Sequence, residues 1–261
     1  MSWIEILMLI IAGLLVGFIN TLAGGGSIIS LSLLMFMGLP SQVANGTNRI
    51  AITLQTLTAS LNFKKAGLLS SRKGILLGIP AVIGSIVGSY IAIDINEELF
   101  EKLVVGIMFV MLIFIFYSPT IWLKGREDLL KKKAGWIQYL IFFAIGIYGG
   151  FIHAGIGYVL LIALVLGSGF NLLEANALKV LIVFMYVPFS LLVYVISGDV
   201  KYSYGFIMAI GNIAGAFIAS KFAIERGANF VRYVILIVVI FTALHVFNII
   251  DIHSYYQRIL E

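Results

Sequence analysis

Apolar residues in this chain fall in long, nearly uninterrupted runs separated by short polar stretches, not in alternation with polar residues. Crossing about 30 Å of hydrocarbon takes about 20 helical residues, and runs of that length recur along most of the sequence. The period-two alternation of a membrane barrel is missing, and without a closed sheet only helices satisfy the backbone in lipid. The pattern predicts an all-α polytopic membrane protein. Its elements are expected over roughly 3–20, 27–37, 41–63, 74–93 and 98–118, then over 136–153, 157–168, 172–196, 204–224 and 229–249. Each set of five opens with an element broken by glycine, at Gly24-Gly25-Gly26 and at Gly155-Ile156-Gly157.

The two sets resemble each other. Trp3-Ile4 matches Trp136-Ile137, and the segment Gly13 to Asn20 matches Gly146 to His153, an offset of 133. Beyond the glycine break the offset becomes 131, pairing Gly24 with Gly155, Gly26 with Gly157, Gly38 with Gly169, Gly67 with Gly198, Gly74 with Gly205 and Gly84 with Gly215. Ala44-Asn45-Gly46-Thr47-Asn48 faces Ala175-Asn176-Ala177-Leu178-Lys179 in the same register. The expected organisation is a first transmembrane repeat over 1–120, a basic cytoplasmic linker over 121–135, a second repeat over 136–250 and a short tail over 251–261.

Basic residues favour the cytoplasmic side of a membrane protein. An inverted arrangement of the repeats places Lys64, Lys65, Arg72, Lys73, the linker cations Lys124, Arg126, Lys131, Lys132 and Lys133, and Lys221, Arg226 and Arg232 inside. Only Lys102, Lys201 and Arg258 then lie outside, whereas a parallel arrangement exchanges Lys201 and Arg258 for Lys221, Arg226 and Arg232. The inverted form is favoured by one residue. In both, the acidic stretch from Asp94 to Glu101 is external, and Trp3, Trp122 and Trp136 sit near span ends as interfacial anchors.

Composition narrows the picture further. The chain is 61% hydrophobic and 11% charged, with a mean hydropathy of +1.10, against roughly a quarter charged in soluble domains. The net charge of +5 follows from the basic loops and points to topology, not to a nucleic-acid partner. Without cysteine there is no disulfide, thiolate metal site or cysteine nucleophile. Met1 to Ile19 has neither a basic leader nor a small-residue cleavage site and is expected to be a retained first helix. No Walker motif, Gly-x-Ser-x-Gly elbow, His-Glu-x-x-His pattern or pair of intramembrane carboxylates is present, so no ATP drive, catalytic site, metal or other cofactor is expected.

Two cations stand inside apolar segments, Arg49 and Lys179. A charge near a helix centre costs about 2.5–3.5 kcal/mol on insertion scales and should face protein or water. Asn45, Asn48 and Arg49 share one helix face, and Asn176 and Lys179 share another. No carboxylate lies deep enough to neutralise them, because Glu174 sits near the start of its helix. The missing counter-charge suggests an anion from outside. The glycine breaks Asn20-Thr21-Leu22-Ala23-Gly24-Gly25-Gly26-Ser27 and His153-Ala154-Gly155-Ile156-Gly157-Tyr158 should unwind, and helices restarting at Ser27 and Tyr158 would offer free N–H groups and positive dipole ends. The candidate binding set is therefore Asn20, Thr21, Gly24, Gly25, Gly26, Ser27, Asn45, Thr47, Asn48, Arg49, His153, Gly155, Gly157, Tyr158, Asn176 and Lys179. His153 and Glu174 are candidates for proton coupling.

Gly13-x3-Gly17, Gly24-Gly25-Gly26, Gly38-Leu39-Pro40, Val43-Ala44-Asn45-Gly46-Thr47-Asn48 and Asn62-Phe63-Lys64-Lys65-x-Gly67, in this order, resemble the TauE/SafE-like sulfite exporter family. The second half departs from the pattern at Asn171, Ala177 and Lys179, opposite Pro40, Gly46 and Asn48. The resemblance implies a multi-pass transporter of the cell membrane for a small sulfur-containing or organic anion such as sulfite, a sulfonate or sulfoacetate. The residues alone leave two other readings open: an anion channel lined by the same cations, and an intramembrane enzyme. The coupling ion and the oligomeric state are left open.

Overall fold

The computed structural model describes residues 1–69, 71–95, 99 and 126–246. The expected 98–118 span, Trp122, Lys102, Lys124, Arg258 and the C-terminal tail lie outside the described residues. Every regular element among those described is helical. Helix α1 spans Trp3–Leu22 and starts with a capping box between Ser2 and Glu5. After the first break come α2 (Ser27–Phe36), α3 (Ser41–Lys65) and α4 (Arg72–Asp94), the last capped by Ser71. A single turn in the linker forms α5 (Glu127–Leu130). Helix α6 (Trp136–Phe151) then runs to the second break, and α7 (Ile156–Ile162) continues into a π-helix over Ala163–Gly167. Helix α8 (Leu172–Ser197) is capped by Asn171, whose Oδ1 accepts from Glu174 N at 3.0 Å. Helix α9 (Tyr202–Val246) is interrupted at Gly227 (φ 71°), between the two spans expected there.

Helices α1, α4, α8 and the Tyr202–Val238 part of α9 are long and apolar enough to cross a membrane. Helix α3 has the length, at 25 residues, but is far more polar, and its Asn45, Thr47, Asn48, Arg49, Gln55, Thr56 and Ser60 are all buried. It is a helix wrapped in protein. Its neighbours carry the lipid-facing apolar side chains, such as Ile4, Leu7 and Ile11 on α1 and Ile79, Ile83 and Tyr90 on α4.

Helix directions follow from which residues meet. Gly13 and Gly17 of α1 lie against Met208 and Asn212 of α9 so closely that a Cβ on either would overlap backbone. Gly146 and Gly150 of α6 lie in the same way against Ala81 and Ser85 of α4. In both pairs residue numbers rise together, so the partners run parallel, and small residues allow the close approach. The hydrogen bonds Lys201 N to Thr47 Oγ1 (2.9 Å), Asn212 Nδ2 to Gln55 Oε1 (3.0 Å) and Asn62 Nδ2 to Ser220 Oγ (2.8 Å) make α3 parallel to α9. Gly74 meets Leu178 and Ser89 bonds Ser190, so α4 is parallel to α8. Tyr194 near the end of α8 receives a bond from Asn45 near the start of α3, while Val180 and Gln55 line one cavity, so α3 and α8 are antiparallel. Helices α1, α3 and the part of α9 before Gly227 thus run one way, and α4, α6 and α8 run the other.

The left-handed glycines Gly24, Gly38 and Gly67 recur as Gly155, Gly169 and Gly198, each 131 residues later (155 − 24, 169 − 38 and 198 − 67). In α1 and α6 the contacts depart from the offset of 133. Gly17 meets Asn212 and Gly146 meets Ala81, and since 212 − 81 is 131, Gly17 corresponds to Gly146 at an offset of 129. That register also aligns the helix ends, Leu22 with Phe151, and the restarts, Ser27 with Ile156. The difference of four is one helical turn. The sequence match pairs Gly13 with Gly146 and Gly17 with Gly150, whereas the contacts pair Gly17 with Gly146, one turn away. The offset regains its two residues across α7 and the π-helix, which together hold 12 residues (7 + 5) against 10 in α2.

Candidate functional site

The two breaks meet. Gly24 (φ 102°) and Gly157 approach until a Cβ on either would overlap the other's Cα, and a Cβ on Gly25 would strike the Tyr158 ring. Only glycine allows this. Asn20, in the last turn of α1, bridges its own break: its Oδ1 accepts from Ser27 N (3.2 Å) and its Nδ2 donates to Ser27 Oγ (2.9 Å). Tyr158 N donates to Gly155 O at 3.0 Å. The N–H groups at Ser27 and Tyr158, expected to be free for an anion, are therefore taken within the protein.

The broken helices α1 and α6 end at membrane depth with unpaired carbonyls, as any helix does. The two buried cations supply the donors. Arg49 gives Nη1 to Gly149 O (3.1 Å) and Nη2 to Gly150 O (2.6 Å), and Nη2 also lies 3.4 Å from Asn45 Oδ1. Lys179 gives Nζ to Asn20 O (3.0 Å), Thr21 O (3.1 Å) and Asn176 Oδ1 (2.8 Å). Each cation caps the negative end of a broken helix in the other half of the chain, where the macrodipole carries about half a unit of negative charge. The expectation that these cations lack internal partners is thus replaced by partners that no side-chain identity reveals.

The clamps match in their acceptors but not in the cation, since Lys179 stands opposite Asn48 and Arg49 opposite Val180 in the 131 register. Asn20 and Thr21 stand at the same positions of α1 as Gly149 and Gly150 of α6 in the 129 register, and Asn45 corresponds to Asn176 in the 131 register. They differ in their surroundings. The Arg49 guanidinium is fully buried and lies 4.7 Å from the Tyr194 ring centroid, a cation–π contact. Lys179 instead lines a cavity with Asn20, Gly24, Gln55, Thr56, His153 and Gly157. That cavity holds only about 10 Å³, the space of a single water.

The remaining candidates divide. His153 lies in the second break, where its Nδ1 is 2.9 Å from Tyr186 Oη, and it faces the cavity. Its expected counterpart Asn20 is matched instead by Gly149. Glu174 occupies the first turn of α8, partly buried and away from the cavity lining. Thr47 accepts from Lys201 N and ties α3 to the loop before α9. Several buried polar atoms have no protein partner: Thr21 Oγ1, both side-chain atoms of Asn48, Arg49 Nε, Asn176 Nδ2 and Tyr158 Oη. Gln55, Thr56, Tyr186 and Tyr194 were not among the expected residues. Gln55 and Thr56 continue the face of Asn45, Asn48 and Arg49 by the same three-and-four spacing, a signal the sequence carries. Tyr186 and Tyr194 likewise continue the face of Asn176 and Lys179 on α8, through Val183 and Ser190, by three-and-four steps.

Buried charges in the angle between two broken helices, inside a bundle of apolar spans, define a membrane-embedded transporter rather than an enzyme. The family model described as sulfite exporter TauE/SafE matches residues 9–246, and the chain belongs to that family. A probable membrane transporter protein of Haemophilus influenzae is 27% identical over 235 residues, covering 88% of this chain and 89% of its own. The probable membrane transporter protein YfcA of Escherichia coli K12 is 27% identical over 238 residues, covering 88% and 85%. A third, ORF9 of Sinorhizobium sp, is 23% identical over 237 residues, covering 90% of each chain. No solved structure matches.

Proposed function

We propose that the protein is a secondary transporter of a small sulfur-containing or organic anion, of the sulfite, sulfonate or sulfoacetate class. The anion sits where the glycine breaks meet and is exposed to either side in turn as two inverted halves rock against each other. The observation that carries this reading is the pair of cations held by carbonyls alone. Lys179 donates to three acceptor oxygens, which takes the three N–H bonds of an ammonium, and Arg49 is always charged. With Lys179 in its ammonium form, two positive charges face two helix ends of about −0.5 each, leaving about one uncompensated positive charge. No carboxylate among the described residues bonds either cation. An anion from outside completes the balance.

The matched left-handed glycines, the matched clamps and the opposed directions of α1 and α6, α3 and α8, and α4 and α9 support inverted repeats. With the linker inside the cell membrane, α1, α3 and α9 run inward, which puts Lys64, Lys65, Arg72 and Lys73 on the cytoplasmic side. The near-closed cavity favours a carrier over an open channel. All three Lys179 hydrogens are engaged, so anion binding there exchanges a carbonyl of α1 for the substrate and loosens that helix end. His153, facing the same cavity through Tyr186, is the proposed proton-coupling group. The test is uptake of labelled sulfite and simple sulfonates into proteoliposomes under an imposed pH gradient. Saturable, gradient-dependent flux supports the carrier, steady unsaturated conductance turns the assignment to a channel, and absence of anion flux with folded protein overturns it.

A further inference from the structure

The basic linker does more than mark a side of the membrane. Arg126 N donates to Gly169 O at 2.9 Å, and Lys73 Nζ donates to Leu129 O (2.8 Å) and Ser168 O (3.2 Å), so α5 is held on the turn before α8. The docked linker walls a second pocket, of about 250 Å³, between itself and the start of α6. Three cations line it, Lys73, Lys132 and Lys133, together with Trp136, Ile137 and Gln138. Among the described residues no carboxylate does: Asp128, close in sequence, is paired with Arg126 at 2.9 Å. This volume is room for several waters, unlike the central cavity.

Two details identify the occupant. Gln138 gives Nε2 to Gly167 O at 2.6 Å, which fixes its orientation, and its buried Oε1 has no donor. The pocket also opens onto exposed apolar side chains of α6, Ile137, Leu140 and Ile141, which share one face at three-and-four spacing, with Trp136 at their head. A soluble anion needs no such apolar track, whereas an acyl chain does. We propose that this pocket binds an anionic phospholipid with a hydroxylated headgroup, its phosphate on Lys132, Lys133 and the remaining Lys73 hydrogen, and its hydroxyl donating to Gln138 Oε1. Through Lys73 and Leu129 the lipid fastens the linker to α4 and to the turn that starts α8, the helix bearing Lys179.

Native mass spectrometry and thermal melting of the full-length protein with phosphatidylglycerol, with phosphatidylcholine of the same chains, and with inorganic phosphate test the proposal. Phosphatidylglycerol is expected to bind and raise the melting temperature, while phosphatidylcholine and phosphate do not. The double variant Lys132→Gln/Lys133→Gln, whose side chains are exposed and whose folding is checked by its melting without lipid, is expected to bind it about thirtyfold more weakly, each lysine near an anionic headgroup contributing about fivefold. Equal affinity of wild type and double variant for phosphatidylglycerol overturns the site. Stabilisation by inorganic phosphate equal to that by the lipid assigns the pocket to a soluble anion and overturns the lipid.

Discussion

Arg49 and Lys179 do the same structural task with different chemistry. Each reaches from a polar helix face to two carbonyls at the end of a broken helix, and each is braced by an asparagine one turn earlier. The guanidinium spreads its bonds over a planar fork, lies against the Tyr194 ring and faces no cavity. The ammonium is compact, uses every hydrogen it has and faces the cavity between the breaks. In the proposed carrier, Arg49 is the rivet and Lys179 the cation a substrate meets first. A site built from two copies need not use them equally.

Several changes sharpen or break that contrast. The largest effect is expected where the clamps converge. Gly24→Ala adds a Cβ that overlaps Gly157 backbone at a left-handed residue, and its loss of more than ~4 kcal/mol should appear as failure to yield folded protein on size-exclusion chromatography. Gly38→Ala, at φ 86° but with open space around it, should cost only ~1–2 kcal/mol of strain. Comparable yields of the two alanine variants would refute the close meeting of the breaks.

Next comes Arg49→Gln, which leaves the carbonyls of Gly149 and Gly150 without a charged donor. It should lower stability by about 3 kcal/mol and abolish flux, while Arg49→Lys restores part of the stability. Lys179→Gln should also abolish flux but lower the melting temperature less than Arg49→Gln, because a cavity and water adjoin it. If Lys179→Gln proves the more destabilising of the two, the division into rivet and contact cation is wrong. The smallest effect belongs to Tyr186→Phe, which removes the bond at His153 Nδ1. About 1 kcal/mol of stability goes with it, and the pH-gradient dependence of uptake should weaken while anion affinity holds. Unaltered gradient dependence in Tyr186→Phe and in His153→Gln removes His153 from coupling.

Much of this arrangement is legible in the chain. Run length gives the helices, three glycines in a row give the first break, and Arg49 and Lys179 are expected inside the bundle, where the structure buries them. What stays hidden has a physical cause in each case. Besides Asn45 and Asn176, the partners of Arg49 and Lys179 are backbone carbonyls, which every residue has, so no letter in the sequence announces those. The glycine match of Gly13 and Gly17 with Gly146 and Gly150 lies one turn from the pairing that the contacts give, because those contacts are made on α9 and α4, far along the chain. Helix α3 is expected as an ordinary span, yet its burial makes room for polar residues that lipid would reject. Spacing puts Tyr186 and Tyr194 on the face of Asn176 and Lys179, but their partners His153 and Asn45 come from tertiary packing, which local spacing does not encode.

The central claim is that the two carbonyl-bound cations leave a positive charge that an anion fills. It is tested most directly by the equilibrium affinity of purified, folded protein for sulfite and a simple sulfonate, measured by calorimetry for wild type, Arg49→Gln and Lys179→Gln. The account predicts anion binding to wild type and a loss of about a hundredfold in Lys179→Gln at retained fold, the scale of one charge-assisted hydrogen bond. Unchanged affinity in a folded Lys179→Gln variant would contradict it.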